Sequence, residues 1–157
     1  MNRAGDDSLD PVLRLHVLAA ALPGSVVAER TVEAPFDQVW RVVTDLETMA
    51  PRYETNVTAI EVIERTPKRV RIVATLRGGH FEEMDARFEP GWSLMQSRSF
   101  IIAFGARPVG IHTQLAHLEH RRTSESAQNL EPSHRAYETL LRELEAIENL
   151  AAHPDRY

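Results

Sequence analysis

Apolar and polar residues change their period several times along this chain. Between residues 9 and 20, Leu9, Val12, Leu13, His16, Val17 and Ala20 recur at three- and four-residue spacing, which predicts a short helix. Asp10-Pro11 suits its start, because Asp caps free amides and Pro fits the first helical position. Pro23-Gly24 suits its end. Over residues 26–33, Val26, Ala28, Arg30 and Val32 alternate with Val27, Glu29, Thr31 and Glu33, the period of a strand. Pro35 then breaks the strand and opens a helix with the stripe Phe36, Val39, Trp40, Val43 and Leu46. A second short helix is expected over 46–50, ended by Pro51.

The next stretch reads as strands separated by turns. Residues 57–65 precede the turn signal Thr66-Pro67. Residues 69–77 place Val70, Ile72, Ala74 and Leu76 on one face, and Gly78-Gly79 marks a hairpin. Residues 80–89 return with Met84, Ala86 and Phe88 on one face, up to Pro90-Gly91. Residues 92–98 and 100–107 follow, either as two strands or as one long bent strand through Ser97-Arg98-Ser99. Val109-Gly110 turns the chain into residues 111–122. After a polar loop at 123–131, Pro132 or Ser133 opens a last helix reaching about residue 152, striped by His134, Tyr137, Leu140, Leu141, Leu144, Ile147 and Ala151.

Strands joined by tight turns pair antiparallel. Each carries an apolar face, and the last helix is the long amphipathic element left to cover it. The layout is therefore α+β: an antiparallel sheet of six or seven strands curved around a long C-terminal helix, with two short helices after the first strand and one before it. Sheet twist leaves room for a hollow under the helix, suited to a small apolar guest. Residues 1–24 form an N-terminal extension, 25–152 the main domain and 153–157 a tail.

Composition narrows the function. There are 157 residues with a net charge of −5, so no basic footprint speaks for nucleic acid. The absence of cysteine excludes disulfides and thiolate chemistry. No apolar run approaches the roughly 20 residues of a membrane helix. Val12 to Leu22 imitates a signal-peptide core, but Asp6, Asp7 and Asp10 stand where such a peptide is basic. A cytoplasmic protein is expected, as monomer or homodimer.

Strand parity selects residues for chemistry. His80 and Glu82 share the face of Met84 and Phe88, and a His beside a carboxylate exchanges protons near neutral pH. A frayed, wet strand end would explain them equally. Thr113, Leu115, His117 and Glu119 share a face; a satisfied core histidine is the commoner fate of a residue like His117. Gln96, Tyr53 and Tyr137 offer polar groups to a guest. His112 and His120 point one way and His117 the other, and no HExxH spacing occurs, so neither a metal nor a cofactor is expected.

The segment Glu33-Ala34-Pro35-Phe36-Asp37-Gln38-Val39-Trp40, with Val43 and Asp45-Leu46-Glu47, resembles the opening motif of the START/SRPBCC (Bet v 1-like) superfamily, in its polyketide cyclase/dehydrase branch. Arg107-Pro108-Val109-Gly110 with Thr113-Gln114-Leu115 resembles that superfamily's last hairpin. The resemblance spans residues 25–152 and implies a helix-grip fold holding a small hydrophobic or aromatic molecule, lipid or polyketide-like. Its wall would come from Trp40, Tyr53, Val70, Ile72, Leu76, Met84, Phe88, Gln96, Phe100, Ile102, Phe104, Leu115, Glu119, Tyr137, Leu141 and Leu144. As an alternative it implies a cofactor-free aromatase/cyclase or dehydratase, in which Arg77, near the position of a substrate-polarising arginine, would act with His80, Glu82 and His117. A third implication is a protein-partner module, which an exposed apolar stripe on the leading helix would favour.

Overall fold

The computed structural model describes residues 9–122 and 134–154. Its elements run α1 (Pro11–Ala21), β1 (Val26–Val32), α2 (Phe36–Thr44), α3 (Ala50–Tyr53), β2 (Val57–Arg65), β3 (Arg69–Leu76), β4 (Phe81–Glu89), β5 (Trp92–Gln96), β6 (Phe100–Val109), β7 (His112–Arg121) and α4 (His134–Ala152). The proposed start of α4 at Pro132 or Ser133 lies outside the described residues. All seven strands form one antiparallel sheet in the order β1-β7-β6-β5-β4-β3-β2. Every neighbour pair is a hairpin except β1–β7, where the first strand returns to flank the last. The sheet curves around α4, the helix-grip arrangement.

The short helices differ from expectation. Pro51 does not end a helix over 46–50; it occupies the first turn of α3, which begins at Ala50. Proline is tolerated there because the first-turn amides need no intrahelical acceptor. Residues 92–109 are two strands. The Ser97 hydroxyl accepts from the amides of Ser99 and Phe100 at 3.1 and 3.0 Å and closes the turn between them.

Two cores lie on opposite faces of the sheet. On the inner face, Ile72, Met84, Ala86, Met95, Ile102, Phe104 and Leu115 pack with Val39, Val43, Leu140, Leu144 and Ile147. Phe100, Ile102 and Phe104 thus turn inward on β6, while Ile101 and Ala103 turn outward. α4 lies chiefly along β1 and β7, with α2 and α3 beside it.

On the outer face, Val12 and Leu15 of α1 pack on Trp92, Ile101, Ala103, Ala116 and Leu118. Asp10 caps α1, its Oδ1 accepting from the amides of Val12 and Leu13 at 2.8 and 3.2 Å. The stripe expected on this helix splits in two. Val12 is buried, whereas Leu9, Leu13 and Val17 are 45, 52 and 56 % exposed. The seat is set by Gly105, where a Cβ would come within 2.3 Å of the Pro11 carbonyl oxygen. Among the described residues no helix is long and apolar enough to cross a membrane.

Candidate functional site

His117 sits in the middle of β7, across from Phe104 of β6 and Ala28 of β1. Alternation turns it inward with Leu115 and Glu119. It has no exposed surface. Phe104 lies flat against the imidazole, with centroids 4.0 Å apart and 12° between planes, and Tyr53 meets the Phe104 ring edge-on at 6.0 Å. The Tyr53 hydroxyl donates to the Val43 carbonyl at 2.9 Å. One imidazole nitrogen, Nδ1, faces the Ala103 carbonyl at 3.3 Å, an acceptor that places a proton on it, and the other, Nε2, is turned to the opposite side.

That nitrogen points at two carboxylates. Glu143 Oε1 from α4 lies 3.5 Å away, and Glu54 Oε1, just after α3, lies 4.0 Å away. Both are buried. Glu143 Oε2 accepts from the Thr55 amide at 2.9 Å. One donor atom from each of the three residues lies within 4.8 Å of the others, a set able to hold a cation or to share protons. Burial, followed by the nearby Glu143 carboxylate, pushes the Glu54 carboxyl well above the usual carboxylate range. Burial also opposes ionisation of Glu143, but the neighbouring His117 and Glu54 side chains and the hydrogen bond from the Thr55 amide outweigh it and hold that carboxyl below its ordinary value. Burial raises Glu119, half-buried two residues along β7.

The other candidates from the sequence are placed elsewhere. Arg77 is exposed beyond the end of β3, its Nε donating to the Thr55 carbonyl at 3.1 Å. His80 is exposed in the same hairpin, just before β4. Glu82 is half-buried on the inner face and accepts from the Ser99 amide at 3.3 Å; hydrogen bonds from Ser97 and Ser99 lower its carboxyl. β4 and β7 stand three strands apart, roughly 14 Å along the sheet, so Glu82 and His117 do not share one reaction centre. His112 and His120 lie half-buried on the face opposite His117.

Among the wall residues, Tyr53, Val70, Ile72, Met84, Ile102, Phe104, Leu115 and Leu144 are buried. Trp40, which stacks on Phe36, is half-buried, as are Leu76, Phe88, Phe100, Glu119 and Leu141. Tyr137 is 40 % exposed. Gln96 lies on the outer face and accepts from Arg122 at 3.0 Å. Where β5 stops short of the first residues of β4, a groove of about 780 Å³ opens, lined on the inner side by Ile72, Glu82 and Met84 and closed by Ser97, Ser99 and Arg122.

Sequence reasoning missed Glu54 and Glu143. Glu143 leaves a trace: it falls between Leu140 and Ile147 at helical spacing, on the apolar stripe itself. Glu54 leaves none, since its burial depends on how the segment after α3 meets β7 and α4.

A curved antiparallel sheet gripping a C-terminal helix, with a polar cluster walled in between, defines a helix-grip protein. The chain belongs to the polyketide cyclase/dehydrase and lipid transport family, whose model matches residues 23–117. It is similar in fold to the TTHA0849 protein of Thermus thermophilus, with 20% identity, a TM-score of 0.64, and coverage of 83% of this chain and 99% of that one. It is also similar to the ZhuI aromatase/cyclase of Streptomyces sp. R1128, with 16% identity, a TM-score of 0.56, and coverage of 84% and 95%. A START superfamily protein from Mycobacterium smegmatis matches with 17% identity, a TM-score of 0.57, and coverage of 83% and 98%. No curated protein matches the sequence.

Proposed function

We propose that the protein binds a small hydrophobic or aromatic molecule inside the curved sheet, against the inner face of β2–β5 beside the part of the interior that α4 covers. One observation carries this reading: the interior is unevenly filled. Under the body of α4, Phe104, Leu115, Leu140, Leu144 and Ile147 are packed without exposed surface to speak of. Over β2, β3 and β4, Ile60, Val62, Leu76 and Phe88 remain only half-buried, and at the start of β4 a groove opens beside Ile72 and Met84, rimmed by the polar side chains of Arg71, Glu82, Ser99 and Arg122. Apolar surface left uncovered inside a concave sheet favours an apolar guest. The family description, which includes lipid transport, supports the same reading.

Native mass spectrometry of the protein from its own host tests this: a retained small molecule, released on denaturation, is the expected result. An aromatic fluorescent probe such as anilinonaphthalene sulfonate should bind at one site per chain. Met84→Trp, which crowds the groove at a cost of about 1–3 kcal/mol of overpacking, should abolish uptake while circular dichroism still reports a folded chain. Uptake equal in wild type and variant would refute the location.

The second reading is an aromatase/cyclase or dehydratase. It draws support from the similarity in fold to ZhuI and from a buried imidazole beside two carboxylates, groups suited to moving protons. It requires that a poly-β-keto thioester be turned over and that His117→Gln stop turnover without loss of probe binding.

A further inference from the structure

Buried polar atoms are nearly always paired, and each exception calls for an explanation. Here three exceptions converge. Glu54 Oε1, His117 Nε2 and Glu143 Oε1 each lack a hydrogen-bond partner among the described residues. Their residues are 6, 0 and 1 % exposed. They arrive from three separate places in the chain: the segment after α3, the middle of β7 and the middle of α4.

We propose that Glu54, His117 and Glu143 bind one divalent transition-metal ion of the zinc class, fastening α4 and the segment after α3 to β7. The remaining atoms of the cluster are arranged as supports. His117 turns Nδ1 to the Ala103 carbonyl, the outer-shell partner that fixes which imidazole nitrogen is free to ligate. The Thr55 amide holds Glu143 Oε2 and leaves Oε1 directed inward. Phe104 and Tyr53 keep the surroundings apolar.

Charge points the same way. Two carboxylates in a dry interior repel each other, and a divalent cation balances both. A nitrogen donor with two oxygens suits zinc-class ions and not magnesium or calcium, which take oxygen ligands. With metal–ligand bonds of about 2.0–2.1 Å, tetrahedral donors stand roughly 3.4 Å apart. The donors stand 3.5 and 4.0 Å from Nε2 and all within 4.8 Å of one another, so an inward turn of Glu54 brings the set to that spacing. Three protein ligands leave a fourth position for water. The proposal is independent of the small-molecule reading above.

The test uses the full chain, stripped with a chelator and refolded with or without Zn²⁺ or Co²⁺. One equivalent per chain should bind, and Co²⁺ should give the visible absorption of a four-coordinate site. At roughly a hundredfold excess over the dissociation constant, the thermal midpoint should rise by about 5–10 °C. Glu143→Gln keeps the Thr55 contact but removes a charge; it should weaken binding by at least about 100-fold while leaving the metal-free protein folded. Should that variant fail to fold, X-ray absorption of the zinc-loaded wild type still decides, with one imidazole and oxygen donors at about 2.0–2.1 Å expected. A folded wild type that takes up no zinc would overturn the proposal, leaving protons shared among the three groups. So would zinc uptake unchanged in Glu143→Gln, an absorption spectrum with more than one imidazole, or a preference for Mg²⁺.

Discussion

Two buried hydroxyls show what single polar atoms do in this interior. Tyr53 donates to the Val43 carbonyl, and Thr113 donates to the Ala34 carbonyl at 2.8 Å from a fully buried position. One of these carbonyls lies within α2 and the other just before it. Tyr53→Phe and Thr113→Val should each lower stability by about 1–2 kcal/mol in urea unfolding, because a buried acceptor loses its donor. A loss below a few tenths in both would mean that water reaches these carbonyls. At this scale the sequence is informative in proportion to periodicity. Parity groups His117 with Thr113, Leu115 and Glu119 on one face, the family resemblance implies that this face looks inward, and His117 is buried on the inner face. Arg77 and His80 share the sequence neighbourhood of a strand but sit in its turn, where no face is defined. Glu54 and Glu143 acquire their meaning from each other across widely separated parts of the chain, a relation no local spacing encodes.

Elements are held by a few specific fasteners. Glu148 of α4 receives Arg30 of β1 through Nε and Nη2 at 3.2 and 2.7 Å, and the Glu33 amide at 2.8 Å. The Arg30 hydrogen bond is the main cause holding the Glu148 carboxyl below its ordinary value. The folded protein therefore binds that proton less readily than the unfolded chain does. The stabilisation is complete above the ordinary carboxylate pKa and fades as pH falls through the lowered folded value. Wild type and Glu148→Gln should differ most in thermal midpoint near pH 7 and converge toward pH 3; parallel curves would exclude the clamp. Gly105 is the fastener of α1. Gly105→Ala should push the helix off β6 at about 1–3 kcal/mol, seen as new protease cleavage within residues 11–21. Strand boundaries and hairpins are legible because tight turns need Gly, Pro and Ser at fixed places. The packed face of α1 is not, because apolar residues surround most of that helix and the choice rests with Gly105, a residue far along the chain.

Across the whole molecule the sheet order predicts a gradient of stability. β6 and β7 are flanked on both sides and covered on both faces, whereas β2 is an edge strand with Glu61, Glu64 and Arg65 exposed. Amide exchange should be slowest in β6 and β7 and fastest in β2; equal protection throughout would contradict the uneven filling of the interior. The antiparallel sheet around one closing helix follows from the layout of the chain, but the return of β1 to β7 leaves no turn signal and comes to light only in three dimensions. The polar anchorage of α4 has a mechanical result. Glu143 and Glu148 tether the helix from its middle onward, while His134 and Tyr137 near its beginning stay solvated. A rod bolted along part of its length pivots at the bolts, so its loose end is where displacement is least costly. If the guest proposed above binds, that end is where it would pass, while the bolted turns and the strands beneath them keep their places.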